Sequence, residues 1–136
     1  MLEVSLAQNH LPALPSTLVV EDDRMNRQCL VRLLQHTGIE ADSANTLSDG
    51  LEKLRLNPRI VLLDVDLPDG SGNEILAHIR QHDMPIKVCV ITGGIDFESA
   101  EILSTLKPDG LFLKPYHVDD VLRWVAQALQ DASNAA

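Results

Sequence analysis

Residues 59–74 read RIVLLDVDLPDGSGNE. An unbroken apolar run, Ile60 to Leu63, leads straight into Asp64, and Asp66 follows one residue later. Pro68 and the glycines Gly70 and Gly72 then mark a turn before the helical pattern of residues 72–83. A strand that is apolar on both faces is covered on both faces, as in a parallel sheet. Two acids belong at such a strand's end only if that end opens onto a cleft rather than into the core.

The rest of the chain repeats this unit. TLVVED (17–22) is a short β-branched strand, and RMNRQCLVRLLQHTG (24–38) sets Met25, Cys29, Leu30, Leu33 and Leu34 at helical spacing, with Gly38 to close the helix. IEADSA (39–44) is a weak alternating strand, and TLSDGLEKLRLN (46–57) a helix interrupted by Gly50. Strand 59–65, helix 72–83, strand 86–92, helix 96–107, strand 110–114 and helix 118–130 complete the series. Five strands alternating with five helices through short loops predict an α/β fold. The sheet is a five-stranded parallel one, doubly wound into a (βα)5 three-layer sandwich of the flavodoxin-like kind. The continuous strands 59–65 and 86–92 are expected at central positions, and the more polar strand 39–44 at an edge.

Composition sets bounds. A chain of 136 residues predicts a single domain that buries roughly two-thirds of its unfolded surface. Aromatic residues are only 3% of the chain, so the core must be built from Leu, Val and Ile. The formal net charge of -9 argues against a non-specific nucleic-acid or anionic-membrane surface. No apolar run approaches the ~18 residues of a membrane span, and the start, MLEVSLAQNHLPALPS, lacks the pattern of a secretion signal. A cytoplasmic location is expected. Cys29 and Cys89 lack metal or redox spacing and are expected to be reduced, buried thiols. The histidines His10, His36, His78, His82 and His117 are scattered and are expected at the surface, and Trp124 at the margin of the last helix's apolar face. Residues 1–15 read as a flexible lead-in, 16–130 as the folded domain and 131–136 as a tail.

Sites in open α/β sheets lie beyond the carboxyl ends of the strands. Those ends carry Glu21 and Asp22, then Asp64 with Asp66, then Thr92 before Gly93 and Gly94, then Lys114 before Pro115. Several carboxylates in one cleft repel each other and call for a cation, and oxygen ligands with open positions suit Mg2+. A carboxylate can also attack phosphorus to form an aspartyl phosphate, whose oxygens need nearby positive charge and donors. Mg2+, Lys114 and the Thr92 hydroxyl supply these types.

In this order VVEDD (19–23), LLDVDLPDGSG (62–72), VITGG (90–94) and LFLKP (111–115) resemble the receiver domain of two-component response regulators. The resemblance covers residues 16–130. It implies that Asp64 is the phosphoacceptor. It further implies that Glu21 and Asp22 are the acidic pair at the metal, that Asp66 offers its backbone carbonyl to Mg2+ while its side chain lines the site, that Thr92 is the switch hydroxyl, and that Lys114 pairs with the phosphoryl group. It implies a cis Lys114–Pro115 bond, which the small penalty before proline permits. The implied activity is not that of a turnover enzyme but of a phosphoacceptor, with self-catalysed phosphotransfer and dephosphorylation at most. The implied partners are a histidine kinase or histidine phosphotransfer protein, and a target or second copy at the last two strands and helices. DDRMNR (22–27) is similar to receivers fused to hybrid kinases.

Two positions depart from the family. Leu111 stands three residues before the lysine, where most relatives carry Tyr or Phe; alternation points Phe112 to the opposite face. Gly93 follows the switch threonine, where alanine is common. Two rival readings remain: a degenerate receiver that binds proteins independently of phosphorylation, and a phosphatase of the haloacid-dehalogenase type. The latter normally carries its Asp-x-Asp on the first strand and has a cap domain.

Overall fold

The computed structural model describes residues 16–134. The expected lead-in and His10 lie outside the described residues. Five parallel strands form one sheet in the order β2-β1-β3-β6-β7: β1 Thr17–Val20, β2 Ala41–Ala44, β3 Ile60–Asp64, β6 Lys87–Thr92 and β7 Gly110–Leu113. Five helices connect them: α1 Arg24–His36, α2 Leu47–Lys53, α3 Asn73–Gln81, α4 Phe97–Leu106 and α5 Val118–Asn134. This is the expected (βα)5 sandwich. The continuous apolar strand β3 is central, and the polar strand β2 lies at an edge.

Alternation along the strands divides the core in two. On one face Leu18, Val20, Val61, Leu63, Val88 and Val90 pack against Ile75, Leu76 and Ile79 of α3. On the other, Val19, Ile60, Leu62, Cys89 and Ile91 pack against Leu30 and Leu34 of α1 and Val121 and Val125 of α5. A period of two feeds both layers because every interior strand is covered twice. No helix among the described residues is long and apolar enough to cross a membrane.

Several details differ from the sequence reading. Helix 46–57 is shorter: α2 stops at Lys53, a 3-10 turn occupies Leu54–Leu56, and Asn57 takes a left-handed conformation before Pro58. The last helix is longer, reaching Asn134, because no residue after Gln130 breaks it. Only residues 135–136 of the expected tail lie outside the described residues. Cys89 is buried as expected, and burial pushes its thiol up to about 12. Cys29 is exposed, as is Met25 at 78%. Only Leu30 and Leu34 of α1 are buried; Asn26, Cys29 and Leu30, in its first two turns, line a cleft beside Lys114. His36, His82 and His117 are exposed, whereas His78 is half-buried and stacks on His82. Trp124 lies against the strand β7 glycine: a Cβ on Gly110 would come 2.6 Å from the indole nitrogen.

A small antiparallel hairpin, β4 Asp66–Leu67 with β5 Gly70–Ser71, follows the central strand. Pro68 and Asp69 form its tip. The Asp69 carboxylate accepts hydrogen bonds from the backbone N–H groups of Leu47 (2.7 Å) and Ser48 (2.9 Å), at the start of α2. These bonds satisfy two orphan donors of the helix. Thr46 supplies a third bond from its hydroxyl oxygen, which accepts from Asp49 N–H at 3.0 Å. Asp69 therefore fastens the loop after Asp64 to a helix 22 residues earlier in the chain.

Candidate functional site

The site is built at the carboxyl edge of β1, β3, β6 and β7. Glu21 leaves β1 still in the ladder, its N–H bonded to Ala44 O at 3.0 Å, and is only 4% exposed. Asp64, the last residue of β3, is 5% exposed. Asp22 is exposed. One carboxylate oxygen from each of Glu21, Asp22 and Asp64 lies within 4.8 Å of the other two. Three hard oxygen donors at this separation, one on the solvent side, fit a divalent cation that keeps some of its water.

Lys114 reaches this group from the end of β7. Its Nζ donates to Glu21 Oε1 at 3.1 Å and to Asp64 Oδ2 at 3.3 Å. The ammonium thus bridges two buried carboxylates. Burial opposes its charge, but the two acids outweigh that and hold the Lys114 pKa above its ordinary value. Burial pushes the Glu21 carboxyl above its usual range, with Asp64 adding to the effect and Lys114 opposing it. The peptide bond between Lys114 and Pro115 is cis.

Glu21, Asp22, Asp64 and Lys114 are brought together; Thr92 and Asp66 stand differently. Thr92 is 3% exposed at the end of β6, and its hydroxyl donates to Gly94 O at 2.9 Å, within its own loop. Asp66 donates its N–H to Asp64 Oδ1 at 3.1 Å and so orients the Asp64 carboxylate. Its side chain was expected to line the site; Asp66 is exposed in the hairpin, borders a neighbouring cavity with Leu67, Asn73 and Glu98, and is not one of the three gathered carboxylates. The sequence reading also missed Arg27. Its Nη1 donates to the carbonyl oxygens of Glu21 (3.0 Å) and Asp22 (3.2 Å), a backbone contact that residue types alone do not announce. Asn26 Nδ2 lies 3.5 Å from Glu21 Oε1.

Beside Lys114, a cleft of about 600 Å³ runs between α1 and the loop after β7. Cys29, Leu30, Gly93, Pro115 and Tyr116 line it. Along β7, Phe112 faces the α5 side of the sheet while Leu111 and Leu113 stand 44% and 54% exposed. The strand's alternation thus separates the aromatic from residue 111, as expected.

The pKa shifts predict a pH dependence. The folded chain holds the Glu21 proton more tightly than the unfolded chain, so this group favours folding below its ordinary value of 4.5. That contribution is lost as pH rises from 4.5 through the raised folded value. Asp69 and Asp96, held low mainly by backbone hydrogen bonds from Ser48 and Ser99, act oppositely. Their contribution is present above 3.8 and is lost as pH falls through the lowered folded values. Thermal melts in EDTA from about pH 4 upward should therefore show a decline that Glu21→Gln removes. An equal decline in both proteins would assign it to other groups.

The family model for the response regulator receiver domain matches residues 17–126. The acid tolerance regulatory protein ActR of Rhizobium meliloti (strain 1021) is 27% identical over 113 residues, which are 82% of this chain and 58% of that protein. The KDP operon transcriptional regulatory protein KdpE of Escherichia coli (strain K12) is 30% identical over 118 residues, 85% of this chain and 51% of that protein. The chain thus spans little more than half the length of these relatives. The crystal structure of a response regulator receiver domain protein (CheY-like) from Methanospirillum hungatei JF-1 superposes with a TM-score of 0.82. It is 25% identical, and the match covers 91% of this chain and all of that one.

Proposed function

The chain belongs to the response regulator receiver domain family, and from that premise we propose that it takes a phosphoryl group onto Asp64 and signals through a change in protein contacts. The donor is a phosphohistidine on a histidine kinase or a histidine phosphotransfer protein. The observation that carries this reading is the meeting of Asp64 with Glu21, Asp22 and Lys114 at the mouth of the central strand.

In the proposed step, a carboxylate oxygen of Asp64 bonds to phosphorus while the bond from phosphorus to the donor imidazole nitrogen breaks, and the electron pair stays on that nitrogen. Asp66 N–H, 3.1 Å from Oδ1, orients the nucleophile. Mg2+ held by Glu21, Asp22 and Asp64, with the Asp66 carbonyl, would neutralise charge on the transferring oxygens. Lys114 is placed to exchange its carboxylate partners for a phosphoryl oxygen. Thr92, buried and bonded within its own loop, would swing toward the new charge and draw residues 93 and 94 with it.

The output surface proposed is the α4, β7 and α5 side. There Phe97, Leu111 and Leu113 are exposed, and a cavity of about 500 Å³ is lined by Ile95, Ala100, Leu103 and Leu111. A protein target or a second copy would cover it. Leu111 favours a second reading, a module whose binding ignores phosphorylation, because the rotating aromatic of most relatives has no counterpart here.

The test is intact-protein mass after incubation with acetyl phosphate and Mg2+. The wild type should gain ~80 Da, the mass of one phosphoryl group, with EDTA blocking the gain and Asp64→Asn abolishing it. No gain with any divalent metal would sink the phosphoacceptor reading and leave the phosphorylation-independent module.

A further inference from the structure

We propose that Arg27 is a positioning residue for the divalent-cation site, an assignment that rests on the functional reading above. Arg27 lies in the first turn of α1 and is half-buried. Its Nη1 donates to two carbonyl oxygens, those of Glu21 and Asp22, at 3.0 and 3.2 Å. These are the two consecutive residues whose carboxylates join Asp64 in the acidic group.

The connection between β1 and α1 is only three residues long. It is held at one end by the sheet, through Glu21 N–H to Ala44 O. At the other end Asp23 caps α1, its carboxylate accepting from Asn26 N–H at 3.3 Å. The Glu21 and Asp22 carbonyls between these anchors are gathered by the single guanidinium nitrogen. Donors that fix the residues bearing metal ligands tune a site nearly as much as the ligands themselves. Asp22 depends on this most, because its side chain is exposed and the short connection fixes the Cα from which its carboxylate reaches.

Charge and position predict opposite signs. A guanidinium near three carboxylates repels an incoming divalent cation, so if its charge were all that mattered, removing Arg27 would tighten cation binding. If Arg27 positions the loop, removing it loosens binding despite the relieved repulsion. Both bonds come from one nitrogen, so a lysine that reaches the same carbonyls restores part of the effect.

The experiment is calorimetric titration of Mg2+ into the full chain for wild type, Arg27→Met, Arg27→Gln and Arg27→Lys, with melting temperatures taken in EDTA. The expected result is a loss of affinity of about tenfold in Arg27→Met and Arg27→Gln, with partial recovery in Arg27→Lys. The melt in EDTA identifies which of the two neutral variants is folded at the titration temperature. Unchanged or tighter Mg2+ binding in a folded neutral variant overturns the assignment while leaving the functional reading intact. A wild type that binds no Mg2+ overturns both, and the wild-type titration alone separates the two failures.

Discussion

Gly72→Ala is expected to cost about 3 kcal/mol of stability, the upper end of ordinary overpacking, and to abolish phosphoryl labelling of Asp64. A Cβ at residue 72 would lie 2.2 Å from the carbonyl oxygen of Asp64 and 3.1 Å from a Leu63 methyl. The first contact is with backbone, so no rotamer change relieves it. Residue 72 has an ordinary helical conformation, φ -58° and ψ -22°, so the need for glycine is purely one of space. It is also pinned, its N–H bonded to Val65 O at 2.7 Å. Alanine must therefore push the start of α3 away from the end of β3, moving Asp64 itself. For a domain of this size the melting temperature should fall by about 10 °C. A variant that melts with the wild type and still gains a phosphoryl group would show that the loop yields freely.

Lys114→Ala removes the cation between two carboxylates that are each about 5% exposed. Breaking such a pair leaves buried charge uncompensated, at a cost of about 3 kcal/mol at neutral pH in EDTA. Protonation of Glu21, whose pKa is already raised, offsets part of this and makes the defect smaller in acid. A divalent cation does the same at neutral pH. Millimolar Mg2+ should therefore stabilise Lys114→Ala more than it stabilises the wild type. Equal melts in EDTA, with equal gains from Mg2+, would mean that the lysine does not bridge the two acids in solution.

Much of this was legible in the sequence because the fold writes itself in periods. Ile60 to Leu63 is apolar without alternation, and only a doubly covered central strand tolerates that. Once the strands are parallel, topology alone carries Glu21, Asp64, Thr92 and Lys114 to one edge. What escaped depends on contacts between residues far apart or on backbone groups. Arg27 acts through carbonyls, which every residue possesses. Asp69 caps a helix that precedes it, and the hairpin at residues 66–71 is too short to show a period. Met25 and Cys29 matched the helical spacing of α1, but amphipathic periodicity assumes a surface beneath every turn. At Cys29 the helix borders a cleft instead.

The Asp69 tether makes two amides into a gauge. The N–H groups of Leu47 and Ser48 are shielded by a carboxylate that belongs to the loop following Asp64, not by their own helix. Their rate of hydrogen–deuterium exchange is therefore set by how often that loop lifts off. Any event at Asp64 that loosens or tightens the hairpin would be read at the start of α2, as a change in how quickly two backbone protons are lost to water.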